Sequence, residues 1–273
     1  MYKKTFFWIA SKLKKSKIIS IKILFANLEL ILRGSSVRVS HDSTKGLYYV
    51  PDEGARHYFG NLERGVRLYS KGLIYRSKQL FDSYSLSEIE FRENDVVIDC
   101  GANYADLWLS LREKIKPECY FTFEPGGDEY KSVCENAPIS NNFKLALSCD
   151  NSVKSFFVNE ADADSSLVEP SSYSRIVDIE TITLSSFVER ESIKAIKLFK
   201  LEAEGFEPEI LAGSLSVINM IEYIAIDGGN ERGVQKEETF SSLANLLFAN
   251  NFEIVSVNFD WGRALFKNRR KQY

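Results

Sequence analysis

Histidine is nearly missing from this chain. His41 and His57 are the only two in 273 residues, so a mechanism that needs several imidazoles is disfavoured. Cysteine is sparse as well. Cys100, Cys119, Cys134 and Cys149 are scattered with no CxxC pair. That spacing suits reduced, buried thiols in a cytoplasmic protein better than a disulfide framework or a zinc site. No run of roughly 18 apolar residues occurs, which argues against a membrane-spanning helix. There is no internal repeat and no low-complexity linker.

What is present is ordinary for a folded protein: 44% apolar and 27% charged residues. The length fits one large α/β domain with an appendage, or two small domains. The charge is unevenly spread. Residues 1–33 hold Lys3, Lys4, Lys12, Lys14, Lys15, Lys17, Lys22 and Arg33 against Glu29 alone, while the net charge of the whole chain is −3. The body beyond this leader is therefore acidic and poorly suited to nucleic acid. Lysines interrupt the apolar stretch of the leader and no clean cleavage site follows, so it is a poor signal peptide. Two readings stay open. One is an amphipathic helix with Phe6, Phe7 and Trp8 at the acyl boundary, giving peripheral contact with the inner face of a membrane. The other is a basic helix docked on the acidic body.

Residues 34–94 read as an entry or cap region, with a Pro-Asp turn signal in "LYYVPDEGARHYFG" and a helix in the later part of 67–91. From Asp95 the elements alternate. Short apolar strands are expected at 96–100, 119–124, 143–148, 195–202 and 223–227. Extra strands are expected in "KSFFVN" and "RIVDIETITL". Tyr104, Trp108, Leu111 and Ile115 share one face of a helix after the first strand. Further helices are expected over 128–136, from Glu207-Pro208-Glu209 onward, and through Phe240, Leu243 and Leu247. Alternation of this kind implies a doubly wound, mostly parallel sheet over residues 95–273. The last two strands, "FEIVSV" and "RALFKN", are separated only by "NFDWG". That gap is too short for a parallel crossover, so the sheet should close with an antiparallel hairpin. Such an ending is typical of class I (Rossmann-like) methyltransferases and not of nicotinamide-binding domains.

Ligands of open α/β sheets bind beyond the carboxyl ends of the strands. Asp99 ends the first core strand there, and Gly101 lets the backbone turn tightly. Dinucleotide-binding turns usually carry three glycines. This turn has Gly101 alone, with Ala105 where a later glycine would sit. A carboxylate beside a pyrophosphate is unfavourable, but beside a sulfonium it is favourable. Glu124 ends the second strand, where an acid can accept hydrogen bonds from both ribose hydroxyls. These features point to S-adenosylmethionine.

The stretches "VVIDCGANYA", "FTFEP" and above all "IKLFKLEAEGFEPEILAG" resemble FkbM-type methyltransferases, from about Asp95 to Phe266. The last stretch matches the family's Lys-Ile-Asp-Val-Glu-Gly-x-Glu pattern with Lys200, Leu201, Glu202, Ala203, Glu204, Gly205, Phe206 and Glu207. Leu211 and Gly213 are also in register, and "DSSL" and "IDGGNERG" are similar to further family segments. The chain departs from the pattern at Ala105, at Glu202 in place of aspartate, and at Gly126 after Glu124-Pro125. The aspartate-to-glutamate change moves a carboxylate by about one methylene, and a misplacement of about 1 Å can lower a rate about 100-fold.

The resemblance implies an S-adenosylmethionine-dependent O-methyltransferase acting on a sugar hydroxyl of a glycan, glycolipid or related metabolite. The cofactor set is then Asp99, Gly101, Ala102, Asn103, Glu124, Pro125 and Ser148. Glu202, Glu204 and Asp227, at the ends of the fourth and fifth core strands, form the catalytic set. Glu202 or Glu204 would serve as general base. Alternatively, two of these acids with Asn230 would hold Mg²⁺. Glu204 and Glu207 also suit the N-terminus of the following helix, where they would cap it. Two rivals remain: a methyltransferase-like binding protein with degraded catalysis, and a dinucleotide-binding oxidoreductase. His57 would reach the site only if the entry region folded over it.

Overall fold

The computed structural model describes residues 18–52, 54–159 and 165–270. Phe6, Phe7 and Trp8 lie outside the described residues, as does most of the basic leader. No helix among the described residues is long and apolar enough to cross a membrane.

The entry region consists of helix α1 (Ile19–Leu32), strands β1 (Ser40–Asp42), β2 (Leu47–Asp52) and β3 (Ala55–Phe59), and helices α2 (Leu62–Tyr69) and α3 (Leu73–Ser83). β1, β2 and β3 form an antiparallel sheet, and the Pro-Asp signal marks the β2–β3 hairpin. Asn61 caps α2 by accepting the Arg64 N–H. Ala26 and Leu30 of α1 pack with Val39, Val50, Phe59, Val66 and Tyr69. Helix α1 therefore belongs to the same packed unit as residues 34–69. Tyr104, from the turn after the first core strand, is buried in that cluster too, which fastens the entry region to the main domain.

The main sheet has seven strands in the order β14-β15-β11-β10-β4-β5-β6. These are β4 (Val97–Cys100), β5 (Tyr120–Phe123), β6 (Asn141–Phe143), β10 (Ile196–Leu201), β11 (Ile221–Asp227), β14 (Phe252–Asn258) and β15 (Arg263–Asn268). Strands β6, β5, β4, β10 and β11 are parallel, and β15 runs antiparallel to both β11 and β14. The expected terminal hairpin is present. β5 lies on one side of β4 and β10 on the other, so strand order reverses between β4 and β10.

Alternation along the strands serves two cores, because successive side chains point to opposite faces. Ile98, Phe199, Leu201, Ile224 and Ile226 meet α6 (Leu184–Arg190), α7 (Glu207–Ala212) and α8 (Phe240–Ala249) on one face. Val97, Leu198, Tyr223, Ala225 and Leu265 meet α3, α4 (Trp108–Leu111) and α5 (Gly127–Asn136) on the other.

Two elements depart from expectation. The segment 143–148 is not one strand. β6 ends at Phe143, and the chain then enters β7 (Ala146–Leu147), which pairs with β9 (Arg175–Ile182) beside β8 (Val153–Val158) in a separate sheet. The helix after β4 is a single turn, because Asn103 and Ala105 adopt φ of 52° and 56° and delay its start. Tyr104, Trp108, Leu111 and Ile115 are buried as their spacing implies, but only Trp108 and Leu111 are helical. The cysteines are free, yet only Cys100 is buried, and Cys149 is exposed.

Gly65 of α2 lies against the Phe59 ring, where an added Cβ would stand 2.1 Å from Cε2. Overpacking of this kind costs about 1–3 kcal/mol. Gly65→Ala should therefore lower the urea midpoint of one cooperative transition. A separate early transition of the entry region would show that it is not part of the main cooperative unit.

Candidate functional site: a buried charge chain beside a cavity

Register places the first pair. Lys200 of β10 lies opposite Asp99 of β4, on the same face of neighbouring parallel strands. The Lys200 Nζ is 3.0 Å from Asp99 Oδ1 and 2.8 Å from Glu202 Oε2, and it donates to the Gly101 carbonyl at 2.8 Å. It donates also to the Cys100 carbonyl at 3.3 Å, so this buried ammonium has two carboxylates and two carbonyls around it. Asp99 also accepts the Tyr120 hydroxyl, reached from β5.

A second register pair continues the chain. Arg263 of β15 lies opposite Asp227 of β11. Its Nε donates to Asp227 Oδ2 at 2.7 Å and its Nη2 to Glu202 Oε1 at 2.8 Å. The result is an alternating run, Asp99–Lys200–Glu202–Arg263–Asp227, across four strands. Burial alone would raise the Glu202 carboxyl, but Lys200 and Arg263 outweigh it and hold the group well below the usual carboxylate range. Burial alone would lower the Lys200 ammonium, and Asp99 and Glu202 instead hold it above the usual lysine range.

The turn after β4 sets the neighbouring wall. Gly101 has φ 73°, and a Cβ there would stand 2.0 Å from the Glu202 carbonyl oxygen. No other residue type fits between these chain segments. Glu124 accepts the Asn103 N–H at Oε2 and the Gly126 N–H at Oε1, both at 2.8 Å. Burial, with Glu129 beside it, pushes its carboxyl up to about 8, against the pull of those two N–H groups.

Between these walls lies a cavity of about 950 Å³, counted with the open space at its mouth. Asp99, Gly101, Ala102, Asn103, Glu124 and Pro125 all line it, as do Glu202 and Glu204. One side is apolar, with Phe123, Leu147, Phe156, Leu167, Phe206 and Ile210. Ser165 lines the cavity, and the Ser166 hydroxyl donates to the Glu204 carbonyl at 2.8 Å.

Other expected residues fall elsewhere. Ser148 is fully buried outside the cavity, with its N–H on the Ile182 carbonyl, because the chain has already left the main sheet. Asp227 is buried behind Arg263 and is not part of the lining. Glu202 is a poor general base, since each of its oxygens is held by a cation. The Mg²⁺ alternative also fails on geometry. Arg263 occupies the space between Glu202 and Asp227, Asn230 is exposed in β12 (Asn230–Arg232), and no group of three metal-ligating side chains occurs among the described residues. Glu207 is a structural cap: its Oε1 accepts the N–H groups of Ala203 at 2.7 Å and Gly205 at 3.2 Å.

Several site residues escaped sequence reasoning. Lys200 and Arg263 were visible as charges within apolar strands, a placement that demands partners. Arg64, Arg76 and Asp106 also line the cavity. The first two come from the entry region, and nothing in their local spacing marks them. His57 is buried with Nε2 2.9 Å from Asp106 Oδ1, so the entry region does fold over this end of the site.

A cavity where strand order reverses, lined by strand-end acids, occupies the usual ligand position of a doubly wound α/β sheet. Residues 99–254 match the methyltransferase FkbM domain, and the chain belongs to that family. Among solved structures, it is similar to methyltransferase FkbM from Methylobacillus flagellatus KT (12% identity, TM-score 0.44), over 90% of this chain and 59% of that one. It is similar as well to TYW2 from M. jannaschii in complex with AdoMet (13%, TM-score 0.39, covering 81% and 86%). A third is Trm5b from Pyrococcus abyssi (13%, TM-score 0.38, covering 81% and 54%). No curated protein matches.

Lys200→Met would leave Asp99 without its cation in the interior. Breaking a buried pair on one side costs about 3–5 kcal/mol, so chemical denaturation should show a loss of that size. A loss below about 1 kcal/mol would mean that Lys200 contributes nothing net.

Burial pushes Glu207 from 4.5 to about 7, against the N–H groups that it caps. The folded state then binds more protons than the unfolded state between those pH values, so stability is lost as pH rises through this window. Glu207→Gln keeps the acceptor and can donate to Thr239, whose Oγ1 is 3.4 Å from Oε2. Relative to the parent, this variant should gain about 1.4 kcal/mol per pH unit from pH 4.5 to 7. A constant difference across that range, measured by urea unfolding, would contradict the shift.

Proposed function

We propose that the chain is an S-adenosylmethionine-dependent O-methyltransferase that acts on a sugar hydroxyl of a glycan, glycolipid or related metabolite. The observation that carries this reading is the cavity bounded by the Asp99–Asn103 turn and Glu124 within a methyltransferase-family chain.

The lining fits the cofactor. Its apolar side suits an adenine, buried Glu124 stands where ribose hydroxyls would be held, and Asp99, Glu202 and Glu204 make the opposite side favourable to a sulfonium. Bound there, the cofactor supplies an electrophilic methyl group. The remaining work falls to the protein. Gly101, Ala102 and Asn103 bring backbone close to the ligand. Asp99 is paired with Lys200 and accepts the Tyr120 hydroxyl, so its carboxyl group is fixed in place. A sugar hydroxyl is a weak nucleophile at neutral pH, and its proton needs an acceptor. With Glu202 committed to two cations, Glu204 is the lining acid assigned to that task. Holding both reactants in one enclosure supplies much of the remaining acceleration.

The commitment of Glu202 also favours a second reading, a methyltransferase-like binding protein with degraded catalysis. Calorimetry and a methyl-transfer assay over sugar acceptors separate the two. Glu124→Ala should weaken S-adenosylmethionine binding about tenfold or more, whereas Glu204→Ala should leave binding within about threefold and lower turnover at least 100-fold. Binding of cofactor without transfer to any acceptor would favour the second reading. Unchanged affinity in Glu124→Ala would remove the basis of both.

A further inference from the structure

Arg76 is the unexplained charge of this cavity. It stands on α3, in the entry region, yet it lines the cavity beside Asp99, Asp106 and Glu202. Its side chain is only 16% exposed. One edge of the guanidinium is used: Nε donates to Asp106 Oδ2 at 2.7 Å. Nη1 and Nη2 have no hydrogen-bond partner among the described residues.

The side chain is also held from behind. Asp106 Oδ1 accepts the Tyr69 hydroxyl at 2.7 Å and lies 2.9 Å from His57 Nε2. The carboxylate is thereby fixed by three groups of the entry region and in turn fixes the arginine. Burial alone would raise Asp106, but Arg76 and His57 hold it well below the usual carboxylate range, so it remains an anion. A guanidinium clamped through Nε presents its remaining edge as a two-pronged donor, a geometry that matches a carboxylate.

We propose that Arg76 binds the α-carboxylate of the amino-acid end of the methyl donor, and that His57, Tyr69 and Asp106 position it. This rests on the cofactor reading above and adds the entry region to the cofactor site. The surrounding charges suit a zwitterion. A carboxylate meets Arg76, while Asp99, Asp106 and Glu202 on the adjoining wall favour the ammonium and sulfonium.

The test compares two ligands by calorimetry on the full chain. S-adenosylhomocysteine carries the α-carboxylate, and 5′-methylthioadenosine lacks the whole amino-acid end. Arg76→Gln should weaken S-adenosylhomocysteine about tenfold or more and change 5′-methylthioadenosine less than twofold. Arg76→Lys, which keeps a charge but not the fork, should fall between. Equal weakening of both ligands would make Arg76 a structural residue and overturn the proposal, as would unchanged affinity for S-adenosylhomocysteine. A parent chain that binds neither ligand would sink the cofactor reading itself, a result distinct from either. Should Arg76→Gln fail to fold because Asp106 is stranded, Arg76→Gln combined with Asp106→Asn removes the stranded charge and the same comparison applies.

Discussion

Lys200 sits between Asp99 and Glu202, and the carboxyl edge of the sheet is organised around that contact. Parallel pairing puts Lys200 opposite Asp99, and the same ammonium holds the Gly101 carbonyl in the turn that follows. Each acid alone would be costly in this interior, and each is tolerable only because a cation stands on its flank. The arrangement repeats one strand further out, where Arg263 faces Asp227 and reaches back to Glu202. Four strands are thus joined at their tips by opposite charges and not by apolar packing alone. Asp99 and Glu202, fixed in this way, line the cavity.

Another part of the lining has a different origin. Arg64 and Arg76 come from α2 and α3, and they complete a lining that the alternating strand-helix domain leaves open. The connection is physical as well as spatial. Tyr104, from the β4 turn, is buried among entry-region residues, and Asn136 of α5 donates to the carbonyl of Tyr58 in β3. The two regions share hydrogen bonds and a core.

Much of this was legible in the sequence. Alternating apolar runs gave the parallel core, and the five-residue gap before "RALFKN" required the closing hairpin. Asp99, Gly101 and Glu124 were readable because strand ends and tight turns have narrow chemical requirements. Other features were not readable. The departure of residues 146–147 into a second sheet depends on pairing with β9, some thirty residues later, which no local pattern reports. The single-turn α4 follows from positive φ at Asn103 and Ala105, where the apolar spacing still looked helical. Glu202 read as a free acid because its two cations are set by register and by a strand more than sixty residues downstream. The roles of Arg76 and His57 depend on how the entry region docks, and that is a tertiary fact.

The position of Arg263 in the chain has a consequence for biosynthesis. Glu202 and Asp227 leave the ribosome well before the arginine that joins them, and until β15 adds to the sheet the two acids face each other without it. Domains tend to fold as their segments emerge, but here a nascent polypeptide that stops short of the terminal hairpin retains a repulsive pair at its centre. Completion of the sheet and neutralisation of that pair are one event. A chain without β15 would therefore lack the cation that joins Glu202 to Asp227.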